Sequence, residues 1–265
     1  QPESSAASDV YKRQVLGGGA GGHRNDDVYP SDGGCGGGAG GADLDPTGRI
    51  QSLANAYAAG GANTSHSSVT SLLSNSALFF SGTVERFGNN GGNSDAFINT
   101  YNINDPATYH GGGGGGAGQT GIDSTDDEGG NGGDGVNLTW VDEVFQNIYK
   151  VNSKLYWAAG GGGAATQEKE PGDGGQGGGG GGAAHKQAAN TAMQTFTEGK
   201  GGIRGWNNGY DSFELLGGAG GKNTGSGAGG SHHVPPTMDS RIYRDLTQGN
   251  HGGSGFVMLR VLLDY

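Results

Sequence analysis

The sequence predicts a mainly β or irregular fold with little α-helix. We expect polyglycine II helices to form a bundle, with short β-strands between them and an apolar strand closing the C-terminus. Three observations lead to this prediction. Glycine accounts for 62 of 265 residues and is concentrated in runs. The residues that interrupt these runs are often spaced by three. Aromatic and β-branched residues recur between the runs, unlike in a flexible linker or a disordered chain.

The spacing of three identifies the backbone conformation that we expect for the runs. Pairs that bracket two glycines are Ala20/His23, Asn90/Asn93, Asn131/Asp134, Asp173/Gln176, Ala219/Lys222, Ala228/Ser231 and His251/Ser254. The polyproline II conformation has three residues per turn and no internal hydrogen bonds. In a Gly-Gly-X repeat the side chains therefore line one edge, and neighbouring backbones can approach the two bare edges and exchange hydrogen bonds. The scarcity of proline and the broken phase argue against a collagen triple helix.

The first residues require separate treatment. The stretch "SAASDVYKRQ", which ends at Gln14, is similar to the translated end of a transposon adapter used for sequencing libraries. This similarity indicates a gene taken from an environmental sequence assembly. We therefore expect residues 1–14 to be non-native and leave them out of the fold prediction.

Segments with ordinary side chains separate the glycine runs. Residues 76–87 and 154–159 are rich in aromatic or β-branched residues and predict strands. In 141–151 the apolar residues follow a helical stripe, although a strand remains an alternative. Residues 255–265, "GFVMLRVLLDY", predict an apolar strand that is buried on both faces or pairs with another copy.

The order of these features resembles the glycine-rich domain of bacteriophage tail-fibre and adhesin-type surface proteins. The resemblance is carried by "LYWAAGGGG", by "TYHGGGGGGAGQTG" and by the ending "GGSGFVMLRV", with Arg260 in the expected place. It implies a single glycine-rich fibre domain over residues 15–265, with insertions at about 43–110 and 231–250. It also implies a non-enzymatic protein whose polyglycine II scaffold presents recognition loops.

Composition and charge narrow the classes of partner. The formal net charge of −11 disfavours binding to nucleic acid or to anionic membranes. The single Cys35 cannot form an internal disulfide. We expect no membrane insertion because no stretch approaches the roughly 18 apolar residues of a membrane span. We therefore expect copies of the same chain, a host surface glycan or an outer-membrane protein as partners, on a virion surface or outside the cell.

No catalytic, cofactor or metal site is predicted. The pattern G-x-G-x-x-G occurs too often here to indicate a dinucleotide site, and the acidic residues 123–128 lack the spacing of a calcium loop. No Ser/His/Asp or Cys/His arrangement has a recognisable local context. We therefore expect a non-enzyme.

Two further sets of residues are predicted sites. The segment 231–250 contains residue types enriched at recognition hot spots, and we expect a receptor or subunit contact there, at His232, His233, Arg241, Tyr243 and Arg244. The alternative is an insertion that packs on its own scaffold. Asn63 and Asn137 begin N-glycosylation sequons.

The sequence thus favours a phage tail-fibre or tip adhesin with a polyglycine II scaffold. The alternative is a self-assembling subunit of an extracellular, pilus-like filament, which the apolar C-terminal segment would also suit. An ice-binding protein is a distant third because regular threonine rows are missing.

Overall fold

The computed structural model describes residues 87–94, 110–149, 153–165, 169–186, 195–213, 216–231 and 251–255. In this part of the chain the regular elements are β1 (Val136–Asn137), α1 (Thr139–Tyr149), β2 (Tyr156–Trp157), β3 (Ala183–Lys186) and β4 (Thr195–Glu198). One helix and a few short antiparallel strands confirm the prediction of a mainly β or irregular fold with little helix. The predicted strands at 76–87 and 255–265 lie outside the described residues, apart from Phe87 and Gly255.

Most described residues belong to extended glycine-rich segments that lie side by side. We call this array the lattice. Its segments, in chain order, are s1 (89–94), s2 (110–118), s3 (119–124), s4 (128–135), s5 (158–165), s6 (169–177), s7 (178–184), s8 (198–203), s9 (207–213), s10 (216–222), s11 (224–231) and s12 (251–255).

Backbone hydrogen bonds between lattice segments recur with a period of three. In s4, the amides of Gly129 and Gly132 donate to the carbonyl oxygens of Glu170 and Asp173 in s6, at 2.9 and 2.8 Å. The next residues, Gly130 and Gly133, donate at 2.9 Å to s2 instead. Each neighbour is therefore met every third residue, whereas side chains and pairings in a β-strand repeat every second residue.

The hydrogen bonds arrange the segments in layers. An outer layer contains s3, s4, s6 and s8 in that order, and the next layer contains s1, s2, s5, s7 and s9. Beneath them s11 and s10 bond to each other, and s12 bonds to both. Within the described residues, s7 exchanges hydrogen bonds with six segments: s5, s6, s8, s9, s10 and s11. This pattern is that of rods in hexagonal packing.

Close approach of backbones explains the glycines. A methyl group on Gly113 would overlap the carbonyl of Asn131, and one on Gly160 would overlap that of Gly114. Gly114 is an exception, because the nearest atom to a methyl group there would be 3.4 Å away. The run of six glycines therefore fits a crowded lattice, in which nearly every position excludes a side chain.

A small side-chain core lies beside the lattice. Val141 and Phe145 of α1 are buried against Leu155 and Trp157, and Trp206 packs on the edge of this cluster. Asp142 in the first turn of α1 complements the positive end of the helix dipole. The predicted helix is confirmed, with bounds 139–149 in place of 141–151, and the predicted strand at 154–159 is reduced to β2, which pairs antiparallel with β1.

The connections distinguish two ends of the lattice. At one, which we call the turn end, short turns join successive segments at 117–119, 177–178, 204–206 and 223, and β1, α1 and β2 lie between s4 and s5. Several turn residues have left-handed φ values, such as 61° at Arg204 and 59° at Asn223. At the opposite end, which we call the insertion end, s1 ends at Ser94, s2 begins at His110 and s11 ends at Ser231.

Candidate recognition surface at the insertion end

At the insertion end, the lattice holds the residues that flank two long connections, 95–109 and 232–250. Ser94 and His110, between which residues 95–109 run, are both fully buried. The Ser124 hydroxyl donates to the His110 carbonyl oxygen at 2.8 Å. Ser231, before residues 232–250, accepts a hydrogen bond from the Gly217 amide at 3.2 Å. The lattice thus provides fixed attachment points for both connections.

The residues predicted to contact a receptor or subunit follow Ser231 in the sequence. His232, His233, Arg241, Tyr243 and Arg244 lie outside the described residues, as does Asn63. The chain is described again from His251, whose carbonyl oxygen accepts a hydrogen bond from the Gly220 amide at 2.9 Å. A recognition role for this segment therefore stays a prediction.

The acidic stretch 123–128 forms part of the insertion end and uses its oxygens for local structure. Asp123 accepts a hydrogen bond from the Asn93 amide at 2.6 Å. Asp127 pairs with Lys169, and the hydrogen bond and positive charge of Lys169 hold the pKa of Asp127 below its usual value. Among the described residues, no three His, Cys, Asp or Glu side chains lie close enough together to bind a metal ion.

His110 is the largest fully buried polar side chain at this end. Its Nε2–H donates to the Asp126 carbonyl oxygen at 3.3 Å. Burial lowers the pKa of the imidazole, an effect that the hydrogen bond to Asp126 partly opposes. The His110 ring thus joins the start of s2 to the acidic loop, in surroundings that favour its neutral form.

The outer layer has a repeated side-chain motif that sequence reasoning missed. Asn131 accepts from the Asp173 amide at 2.7 Å, and Asp134 accepts from the Gln176 amide at 2.8 Å. Asp173 in turn accepts from the Lys200 amide at 2.6 Å. Each side chain satisfies an outward backbone N–H of the next segment, which the lattice itself does not pair. An Asn or Asp directly after a glycine was the available signal.

Asn137, which begins the sequon within the described residues, makes hydrogen bonds that stabilise the fold. Asn137 is half-buried, and its Nδ2 donates to Asp142 Oδ2 at 2.7 Å and to the Leu155 carbonyl oxygen at 2.8 Å. Asp142 Oδ1 accepts from the Leu155 amide at 2.9 Å. Asn137 and Asp142 therefore join α1 to the residues before β2. Glycosylation of Asn137 stays a prediction, and a glycan on Nδ2 would remove at least one of these bonds.

The turn end carries an aromatic cluster that sequence reasoning also missed. The ring of Trp206 lies 4.7 Å from that of Phe145 and 5.1 Å from that of Tyr149, both edge to face. Edge-to-face pairs at such distances stabilise beyond the area that they bury. Trp206 comes from the turn between s8 and s9, far in sequence from α1, so only the fold brings these rings together.

No protein-family model, curated protein or solved structure matches the chain. The described residues contain no helix with the length and apolar character needed to cross a membrane.

Proposed function

We propose that the protein is a non-enzymatic structural fibre protein, a phage tail-fibre or tip adhesin in which a polyglycine II scaffold presents recognition loops. The observation that carries the proposal is the recurrence of hydrogen bonds to each neighbour at every third residue. Polyglycine II, the glycine form of the polyproline II helix, has three residues per turn and leaves all its backbone groups free for neighbours. The crowding at Gly113 and Gly160 supports the same conformation.

The layout of the connections supports presentation of loops. Residues 95–109 leave s1 and re-enter s2 at the insertion end, and residues 232–250 leave s11 at the same end. A framework held by inter-segment backbone bonds positions such loops without a large apolar core. Recognition residues often lie on loops that a rigid scaffold positions.

The binding part of the proposal is tested with loop variants of the full chain. We expect Arg241→Ala, Tyr243→Ala and Arg244→Ala together to abolish binding to an array of bacterial surface glycans and to outer-membrane vesicles. The matched control is Tyr210→Ala with Lys222→Ala, two exposed lattice residues of similar types, which should bind as the unsubstituted chain does. Equal binding by both variants would contradict a receptor contact in 232–250.

The assembly part is tested by negative-stain electron microscopy of residues 15–265 over a concentration series. Compact particles or short oligomers at every concentration are the expected result for an adhesin. Long filaments with a regular axial repeat would instead support the alternative, a self-assembling filament subunit.

A further inference from the structure

The apolar stripe of α1 is wider than the surface that covers it. Val141 and Phe145 are buried in the core, but Val144 is 38% exposed and Ile148 is 65% exposed. Residues four apart on a helix are neighbours, so Val144 and Ile148 form one patch along the edge of the buried stripe. We call these two residues the α1 patch.

The chain leaves the described structure at the turn end of the lattice, where α1 is also inserted. Ser254 accepts a hydrogen bond from the Asn223 amide at 3.0 Å and donates to Asn223 Oδ1 at 2.8 Å, which fixes it at the turn end. A methyl group on Gly225 would lie 4.0 Å from the Gly255 Cα and 3.8 Å from the Ala158 Cβ. Gly255 is therefore a near neighbour of Ala158, the residue after Trp157 of the core.

The following segment, 256–265, has the length and pattern to cover the α1 patch. When extended, the segment spans about 33 Å. The start of the segment lies near Ala158, and the ring of the preceding residue, Trp157, is 5.5 Å from that of Phe145 in α1. In a strand, its even and odd positions face opposite sides. One side would then carry the aliphatic residues Val257, Leu259, Val261 and Leu263, and the other the mixed set Phe256, Met258, Arg260, Leu262 and Asp264.

We propose that residues 256–265 dock on the α1 patch of the same chain. The start of the segment is tethered at the turn end, so its effective concentration at the patch exceeds that of another molecule in dilute solution. Docking would cover the exposed apolar residues of α1. It would also keep the apolar segment 256–265 from pairing with another chain. This inference goes beyond the fibre function and does not depend on any receptor.

Disulfide trapping tests the proposal in the full chain. In a Cys35→Ser background, Ile148→Cys is combined in turn with Val257→Cys, Leu259→Cys, Val261→Cys or Leu263→Cys, because a disulfide requires Cα atoms within about 7 Å. At least one pair should give an intrachain disulfide on mild oxidation. Disulfide-linked dimers, or no disulfide in any pair, would overturn the proposal. Phe213→Cys is the control partner, since Phe213 is 64% exposed but lies at the insertion end.

Thiol labelling gives a second measurement. In Cys35→Ser chains with Ile148→Cys, we expect Leu259→Asp together with Leu263→Asp to accelerate maleimide labelling about tenfold, which corresponds to about 1.4 kcal/mol of docking. The same aspartates should leave the slow labelling of Ser94→Cys, a fully buried lattice position, unchanged, which shows that the lattice remains folded. Equal labelling of Ile148→Cys with and without the aspartates would contradict docking.

Discussion

The lattice and the α1 core are held together in opposite ways. In the lattice, backbone amides and carbonyls bond directly across segments, and a side chain at most glycine positions would push these backbones apart. In the α1 core, the side chains of Phe145 and Trp157 fill the space between α1 and β2. The first region is specified by the absence of side chains and the second by their shape. We therefore expect an added methyl group to disrupt the lattice, whereas the loss of a ring should disrupt the α1 core.

The largest effect should come from adding one methyl group to the lattice. We expect Gly113→Ala to destabilise the protein by about 4 kcal/mol or more, because the added Cβ would overlap backbone on s4, which cannot rotate away. Urea unfolding of the full chain measures this change.

The adjacent glycine is the matched control. Gly114→Ala meets its nearest atom at 3.4 Å, so we expect a change within about 1 kcal/mol of zero. If the two alanines had equal effects, backbone crowding would not be what selects glycine in this run.

Removal of a ring from the α1 core should have the next largest effect. Phe145→Ala would leave a cavity between Val141, Trp157 and Trp206, and we expect a loss of about 3 kcal/mol. Phe145→Leu should cost clearly less because it refills most of the volume. A loss below about 1 kcal/mol for the alanine variant would show that the core adds little to the stability of the lattice.

These two regions also differ in how far the sequence predicts them. The spacing of three across glycine pairs and the apolar stripe at 141–151 indicate the two kinds of structure, because each is a local pattern. The order of the layers depends on which carbonyl each amide meets, and glycine carries no side chain that would distinguish one partner from another. Trp206 could not be assigned to the core for a related reason, since it enters from a distant turn. The residues predicted to contact a receptor follow Ser231 and stay a prediction.

Loss of one side chain from the outer layer should destabilise the protein less than Gly113→Ala or Phe145→Ala. Asp173→Ala removes the acceptor of the Lys200 amide, and we expect a cost of about 1 kcal/mol because water can replace the lost partner at this exposed position. Asp173→Asn keeps a side-chain oxygen and should stay within about 0.5 kcal/mol of the parent. Hydrogen exchange of the Lys200 amide, followed by NMR, reports the bond directly. Unchanged exchange in the alanine variant would contradict its role.

The smallest effect should depend on pH and should come from His110. Because burial lowers the pKa of this imidazole from 6.5, the unfolded chain binds its proton more readily than the folded chain. The stabilisation from the neutral ring is therefore complete above pH 6.5 and is lost as the pH falls toward the folded pKa, with a slope of at most about 1.4 kcal/mol per pH unit. The charge of Lys169 acts in the same direction as burial, whereas Asp126 and Asp127 oppose it.

His110→Gln isolates this contribution, since glutamine keeps an N–H donor but does not titrate. Unfolding free energies of parent and variant are measured between pH 7.5 and pH 5, and their difference removes the titration of all other groups. We expect the parent to lose more stability than the variant over this range. Parallel curves would mean that His110 is as well solvated in the folded protein as in the unfolded chain. A buried ring that joins the start of s2 to the acidic loop should instead make the insertion end the acid-sensitive part of an otherwise backbone-held lattice.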